Sequence, residues 1–201
     1  EKEINKRYKV KLLKVKLNLF SENYIQLIKV IENLPKEHLL GMVFCAGFTP
    51  ERNHFRKISI DQVKKAFFIN VISAYEIISI ITKKMKLNTD LDDGSIVLIS
   101  SQIAKFGSNG ISAYVASKGG LNSLGISLAK ELGPEKIRVN IISPGPIETD
   151  KSDQKVLSNL KKSMPLGRCC APQDIANMVA FLFSKESKFL NGVDIPLNGG
   201  R

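Results

Sequence analysis

Residues 95–101 read Ser-Ile-Val-Leu-Ile-Ser-Ser, and residues 137–146 read Ile-Arg-Val-Asn-Ile-Ile-Ser-Pro-Gly-Pro. Ile96 to Ile99 and Val139 to Ile142 are nearly unbroken apolar runs, without the alternation of a strand that faces water on one side. Runs of this kind suit strands whose sheet is covered by helices on both faces, which is the parallel arrangement. Outward from them the patterns alternate. Strands are expected over 10–17, 39–45, 95–100, 137–143 and 193–197, and helices over 24–31, 60–86, 112–132 and 173–183. Breakers fall between the elements at Asp92-Asp93-Gly94, Gly133-Pro134 and Pro144-Gly145-Pro146. The order predicts an α/β fold: a doubly wound parallel sheet in three α/β/α layers.

The chain has 201 residues, and at roughly 150 residues per domain that length gives one domain over 1–201. It is 43% hydrophobic and 24% charged, which excludes disordered, collagenous and disulfide-scaffold classes. A formal charge of +11 raises a nucleic-acid reading. The excess is scattered lysine, however, with six arginines and no interleaved aromatics, so a solvated surface is expected and no nucleic-acid partner. Cys45, Cys169 and Cys170 have no metal-ligand spacing, and His38 and His54 are the only histidines, so no metal site is expected. A reducing, cytoplasmic setting follows. The apolar run 66–82 is interrupted by Asn70 and Glu76 and falls short of the about 20 residues a bilayer requires, so no membrane span is expected.

Ligands of open parallel sheets bind beyond the carboxyl ends of the strands. Three such ends stand out: Cys45-Ala46-Gly47, Ser100-Ser101 and Pro144-Gly145-Pro146-Ile147. Tyr114 and Lys118 are four apart in the helix expected over 112–132, so they share a face. An ammonium beside a phenol favours the phenolate, and the spacing therefore predicts a lowered Tyr114 pKa and a proton donor and acceptor usable near neutral pH.

Tyr-x-x-x-Lys alone arises readily by chance in a chain this rich in lysine. Together with Ile99-Ser100-Ser101, Asn70 in Phe-Ile-Asn-Val, Arg138-Val-Asn140, Pro144-Gly-Pro-Ile147-x-Thr149, Pro165-Leu-Gly-Arg168 and the terminal Gly192 to Gly200, it resembles the short-chain dehydrogenase/reductases, and among them the 3-oxoacyl-carrier-protein-reductase-like group. The resemblance implies a Rossmann-like fold and NAD(P)H as cofactor. It implies that Tyr114 is the general acid or base, with Lys118 lowering its pKa and binding the nicotinamide ribose. Ser101 would hold the substrate oxygen, and Asn70 would kink its helix and place a relay water. Pro144, Gly145, Ile147 and Thr149 would contact the nicotinamide side of the cofactor, and Asn18, Leu19, Cys45, Ala46 and Gly47 the adenosine side. The implied substrate is a small carbonyl compound or acyl thioester, and the implied assembly is a homodimer or homotetramer, in keeping with helices apolar on more than one side.

The chain also departs from that group. The strand, Gly-rich turn, helix and second strand that precede residue 10 in the family are not in this sequence, so the cofactor-binding half is read as N-terminally incomplete and the choice between NAD and NADP stays open. Cys45 stands where the group has Asn, and Asn18 and Asn198 stand where it has Asp. A non-catalytic remnant acting as a binding or oligomer-partner module is the alternative reading.

Overall fold

The computed structural model describes residues 14–20, 24–34, 41–85, 94–149, 152 and 154–201. Four parallel strands, β1 (Gly41–Phe44), β2 (Gly94–Ile99), β3 (Ile137–Pro144) and β4 (Asp194–Leu197), pair in the order β1-β2-β3-β4. The register sets Val43 opposite Val97, Val97 opposite Asn140 and Ile142 opposite Ile195. Between them run α1 (Ile25–Glu32), α2 (Ile60–Phe67), α3 (Ser73–Met85), the single turn α4 (Ile103–Phe106), α5 (Ser112–Leu132), α6 (Gln154–Lys162) and α7 (Pro172–Phe183).

The alternation read from the sequence is the observed one, with two differences. No strand forms in the described part of 10–17. Residues 14–18 alternate between exposed and half-buried as an extended chain does, but pair with no strand; residues 10–13 lie outside the described residues. In addition, α4 and α6 were not expected. One is too short for periodicity to show, and the other is a lysine-rich surface helix whose apolar residues are few.

Each face of the sheet takes its own apolar layer. On one, Ala74, Ile77, Ile78 and Ile81 of α3 and Leu121 and Leu128 of α5 pack with Ile96, Leu98, Val139 and Ile141. On the other, Val97, Ile99 and Ile142 meet Leu182, Ile175 and Met178 of α7. Alternate residues of one strand point to opposite faces, so both sets must be apolar, and this is why the central runs read as continuous.

Helices α2 and α3 are one continuous rod, Ile60–Met85, of 26 residues. Ser59 starts it with a reciprocal cap: its Oγ accepts from Gln62 N at 3.2 Å and its own N–H donates to Gln62 Oε1 at 3.1 Å. The rod matches the helix expected over 60–86, and by length and composition it is apolar enough to cross a membrane. Here it lies across the sheet, with its Ala74, Ile77, Ile78 and Ile81 in the core. Residues Phe68–Ile72 form a π-helical turn in its middle, with Asn70 on the buried side.

Arg138 fastens the crossover that follows α7 to the back of the sheet. The side chain is 7% exposed, and its Nη1 and Nη2 donate to the carbonyls of Ser187, Leu190 and Leu182 at 2.9–3.2 Å. Asn140 adds a bond to the Leu190 carbonyl and accepts from Val193 N, while Asn191 bonds Val139 N and the Ala129 carbonyl. The Arg-Val-Asn triplet is thus a clamp for backbone carbonyls left over at a helix end. Arg138→Met should leave those carbonyls buried without their donors and lower unfolding free energy by about 2–4 kcal/mol, read from the urea midpoint. A loss below about 0.5 kcal/mol would mean that water substitutes freely and the clamp is not structural.

Candidate active site

The carboxyl ends of β1, β2 and β3 bring residues 45–49, 100–102 and 144–147 to one edge of the sheet, where the first turns of α5 present Tyr114 and Lys118. Lys118 is 3% exposed, and its Nζ donates to the Ile99 carbonyl at 2.8 Å. The same Nζ lies over the Tyr114 ring, 5.8 Å from its centroid. The Ser101 and Thr49 side-chain hydroxyls lie beside the Tyr114 hydroxyl, and each lowers its pKa. A side chain placed on Gly47 would stand 3.5 Å from Lys118 Nζ and 3.6 Å from Asn70 Oδ1, which puts the turn after β1 against both. Asn70, Ser101, Tyr114 and Lys118 are therefore gathered as the sequence predicts.

Asn70 is fully buried and its carboxamide is committed. Its Oδ1 accepts from Phe48 N at 2.7 Å, and its Nδ2 donates to the Phe48 carbonyl at 3.0 Å and to Ser117 Oγ at 2.8 Å. Ser117 Oγ in turn donates to the Tyr114 carbonyl at 2.8 Å. The expected distortion of the helix is present as the π-helical turn, a feature common at functional sites. The side chain itself ties the 45–49 turn to α5.

The electrostatics correct one expectation. Burial pushes the Tyr114 phenol above its ordinary value, and the hydrogen bonds from Thr49 and Ser101 offset this only in part. Burial lowers Lys118 to about 8, partly countered by the nearby Cys45. Both groups share one dry pocket. Desolvation, which disfavours the charged form of each, outweighs the mutual attraction that the four-residue spacing suggested. Stabilisation of a Tyr114 phenolate must come from the neighbouring hydroxyls and from whatever charge arrives with ligand.

The loop after β3 is built for close approach. Gln102 N donates to the Pro144 carbonyl and Gly145 N to the Leu197 carbonyl, both at 3.0 Å. A Cβ on Gly145 would come within 3.1 Å of Asn198 Cα, so the two backbones approach closely there. Ile147 pairs with Cys170 as an isolated bridge, and Thr149 N bonds Ser152 Oγ. At the other end of the site, Asn18 Oδ1 accepts from Phe20 N in a tight turn, and Leu19 and Ala46 pack against the same core layer. Cys45 is exposed at the end of β1, while Cys169 and Cys170 are buried. His54 accepts from Arg56 N in a surface turn and takes no part in the site. Thr49, Gln102 and Ser117 were missed by the sequence reading, because nothing in their spacing points to Tyr114. Only the return of the 45–49 turn through Asn70 brings Thr49 there.

Lys118 has three donors and spends one on Ile99, leaving two for ribose hydroxyls. These residues fit the nicotinamide-ribose end of NAD(P)(H). Among the described residues no Gly-rich turn at a helix start offers a pyrophosphate cradle, and no group of His, Cys, Asp or Glu is arranged to hold a metal ion. A parallel sheet that carries Ser, Tyr and Lys over its strand ends defines a nicotinamide-dependent oxidoreductase.

A family model described as enoyl-(acyl carrier protein) reductase matches residues 4–201. The 3-oxoacyl-[acyl-carrier-protein] reductase of Aquifex aeolicus (strain VF5) is 33% identical over 202 residues, covering 98% of this chain and 79% of that protein. The corresponding enzyme of Chlamydia pneumoniae is 37% identical over 160 residues, and the alignment spans 77% of this chain and 62% of that protein's length. Among solved structures, a short chain dehydrogenase family protein from Francisella tularensis superposes with a TM-score of 0.82 at 29% identity, covering 92% of this chain and 79% of that one. A 4-hydroxyisoleucine dehydrogenase complexed with NADH gives 0.78 at 29% identity, with the same coverage. The chain belongs to the short-chain dehydrogenase/reductase family, the NAD(P)-dependent oxidoreductases with this Rossmann-like fold, and falls with its 3-oxoacyl-reductase-like members.

The lowered Lys118 value has a direct readout. In protein carrying ε-13C-labelled lysine, one resonance should titrate with a midpoint of about 8, well below the usual lysine range, and it should vanish in Lys118→Met. A midpoint near 10.5, the ordinary value, would show that water reaches the ammonium and that the pocket is not dry.

Proposed function

We propose that this chain carries the catalytic half of an enzyme that reduces a ketone, with a 3-oxoacyl thioester as the leading candidate, or oxidises the matching secondary alcohol. The observation that carries the reading is the buried Lys118 ammonium, bonded to the Ile99 carbonyl and over the Tyr114 ring, with the Ser101 hydroxyl beside the phenol. The relatives support the thioester, since two of them are named for 3-oxoacyl chains on acyl carrier protein. The non-catalytic alternative is not favoured, because it leaves a buried lysine and a partly buried phenol without a role.

Bound NAD(P)H supplies the hydride. The protein does the rest: Ser101 Oγ donates to the carbonyl oxygen as negative charge develops there, and Tyr114 gives that oxygen its proton. Lys118, protonated below about 8, binds ribose and compensates the phenolate left behind. Burial keeps Tyr114 protonated but also makes it a weaker acid, so its proton is given up only as the phenolate left behind is stabilised. Asn70 holds the 45–49 turn so that Thr49 and Gly47 stay on these groups. Pro144, Gly145, Ile147 and Thr149 line the nicotinamide side in this reading, and Asn18, Leu19, Cys45, Ala46 and Gly47 the adenosine side.

For assembly, we take Ile72 and Tyr75 at the π-helical turn and on α3, and Ile126 on α5, each more than 40% exposed, as the apolar face of a homodimer or homotetramer. The three free cysteines accord with a cytoplasmic site of action.

Tyr114→Phe in the whole protein should cut kcat roughly 10²–10⁴-fold while leaving NAD(P)H affinity, followed by fluorescence titration, nearly unchanged. Turnover equal to that of the parent protein would remove Tyr114 from the chemistry and end this assignment.

A further inference from the structure

Beside Ser101 lies a cavity of about 500 Å³ whose lining includes Arg52, Gln102, Arg201, Phe106 and Leu160. Among the described residues, the side chains on its walls include two guanidinium groups and no carboxylate side chain. A surface that brings like charges to one hollow without an acidic neighbour has a standing positive potential there. We propose that this cavity is an anion-selecting substrate subsite, in which Arg52 holds a carboxylate or phosphate borne by the carbonyl substrate whose oxygen sits at Ser101. The inference rests on the oxidoreductase reading above and adds a charge requirement to it.

Arg52 is fixed in place rather than waving in solvent. Its Nη1 donates to the Asn109 carbonyl and, at 3.4 Å, to Ser108 Oγ. Asn53 N donates to the Gly110 carbonyl at 2.9 Å, so the loop after β1 is stitched to the loop before α5. Gly110 has φ +81, and a Cβ there would stand 2.6 Å from Arg52 Cγ, so the arginine stem lies directly on its backbone. These bonds run through Nη1 and leave the Nε and Nη2 edge, the one that takes a carboxylate or phosphate through two parallel hydrogen bonds.

Gln102 is the second observation. It is 8% exposed, and its Oε1 has no hydrogen-bond partner. Its Nε2 lies 3.5 Å from the position of a Cβ on Gly145, which places the amide between Ser101 and the glycine of the nicotinamide-side loop. Buried polar atoms are rarely left unpaired, and Gln102 is a residue of the cavity wall, so a turn of its amide toward the cavity would let a ligand donor complete it. Arg52, Gln102 and Ser101 then read three points of one molecule: its charge, a donor along its chain and its carbonyl oxygen.

Two sources supply such an anion: the carboxylate of a short oxo acid and the phosphate of a pantetheine thioester. The test compares acetoacetate with methyl acetoacetate, and acetoacetyl-coenzyme A with the neutral N-acetylcysteamine thioester of acetoacetate. Binding is followed by calorimetry, and kcat/KM with NAD(P)H, each at low and high salt. The charged member of at least one pair should be preferred by about tenfold, the preference should shrink with added salt, and Arg52→Gln should lower the charged-to-neutral ratio, with Arg52→Lys in between. Preference within the first pair assigns a carboxylate, and within the second a phosphate. Equal use of charged and neutral members, with no salt effect on either pair, overturns the subsite even where turnover is abolished by Tyr114→Phe. Turnover that survives Tyr114→Phe defeats the underlying reading instead.

Discussion

The site depends on one buried carboxamide. Asn70 meets both backbone groups of Phe48 and the hydroxyl of Ser117, joining the end of β1, the middle of a long helix and the first turns of α5. An unpaired amide in that position would cost more than most single contacts contribute, so the three elements are held in one arrangement. The π-helical turn is what aims Asn70 inward. Without the extra residue in that turn, the helix would present a different side chain to the 45–49 turn.

Given that arrangement, dryness sets the electrostatics. The same shielding that makes the Lys118 ammonium costly also makes each hydrogen bond at Tyr114 count for more. The two residues are neighbours under shared desolvation rather than a preformed ion pair, and the phenol is therefore neutral until charge develops on a bound oxygen. A phenol in that state is a weak acid, and the Ser101 and Thr49 hydroxyls, which lower its pKa, act against that weakness.

Much of the architecture is legible in the chain because the physics is local. Continuous apolar runs at 96–99 and 139–142 report burial from both sides, and 112–132 is bounded by Gly133-Pro134, so that helix ends where expected. Ser101, Tyr114 and Lys118 are legible as a set because a strand end and one helical turn fix their spacing. Thr49, Arg52 and Gln102 are not, since each matters only through a partner distant in sequence, such as Asn109 for Arg52. The sign of the Tyr114 shift was misjudged for a related reason: spacing reveals which charges are near, but not how much water has been removed from them. The described residues 14–17 show a similar limit, because alternation marks an extended segment and says nothing about whether a strand pairs with it.

The Ile147–Cys170 bridge has a mechanical consequence. Cys170 N donates to the Pro146 carbonyl and Glu148 N to the Cys170 carbonyl, both at 2.9 Å, so the chain leaving the sheet is sewn to the chain entering α7. The described residues between those stitches, α6 included, leave and return at the same spot, with Lys161 reaching back to Glu148 at 2.9 Å. Because both ends of that excursion are pinned to each other, a change of length within it would leave the pairing of β3 with β4 undisturbed.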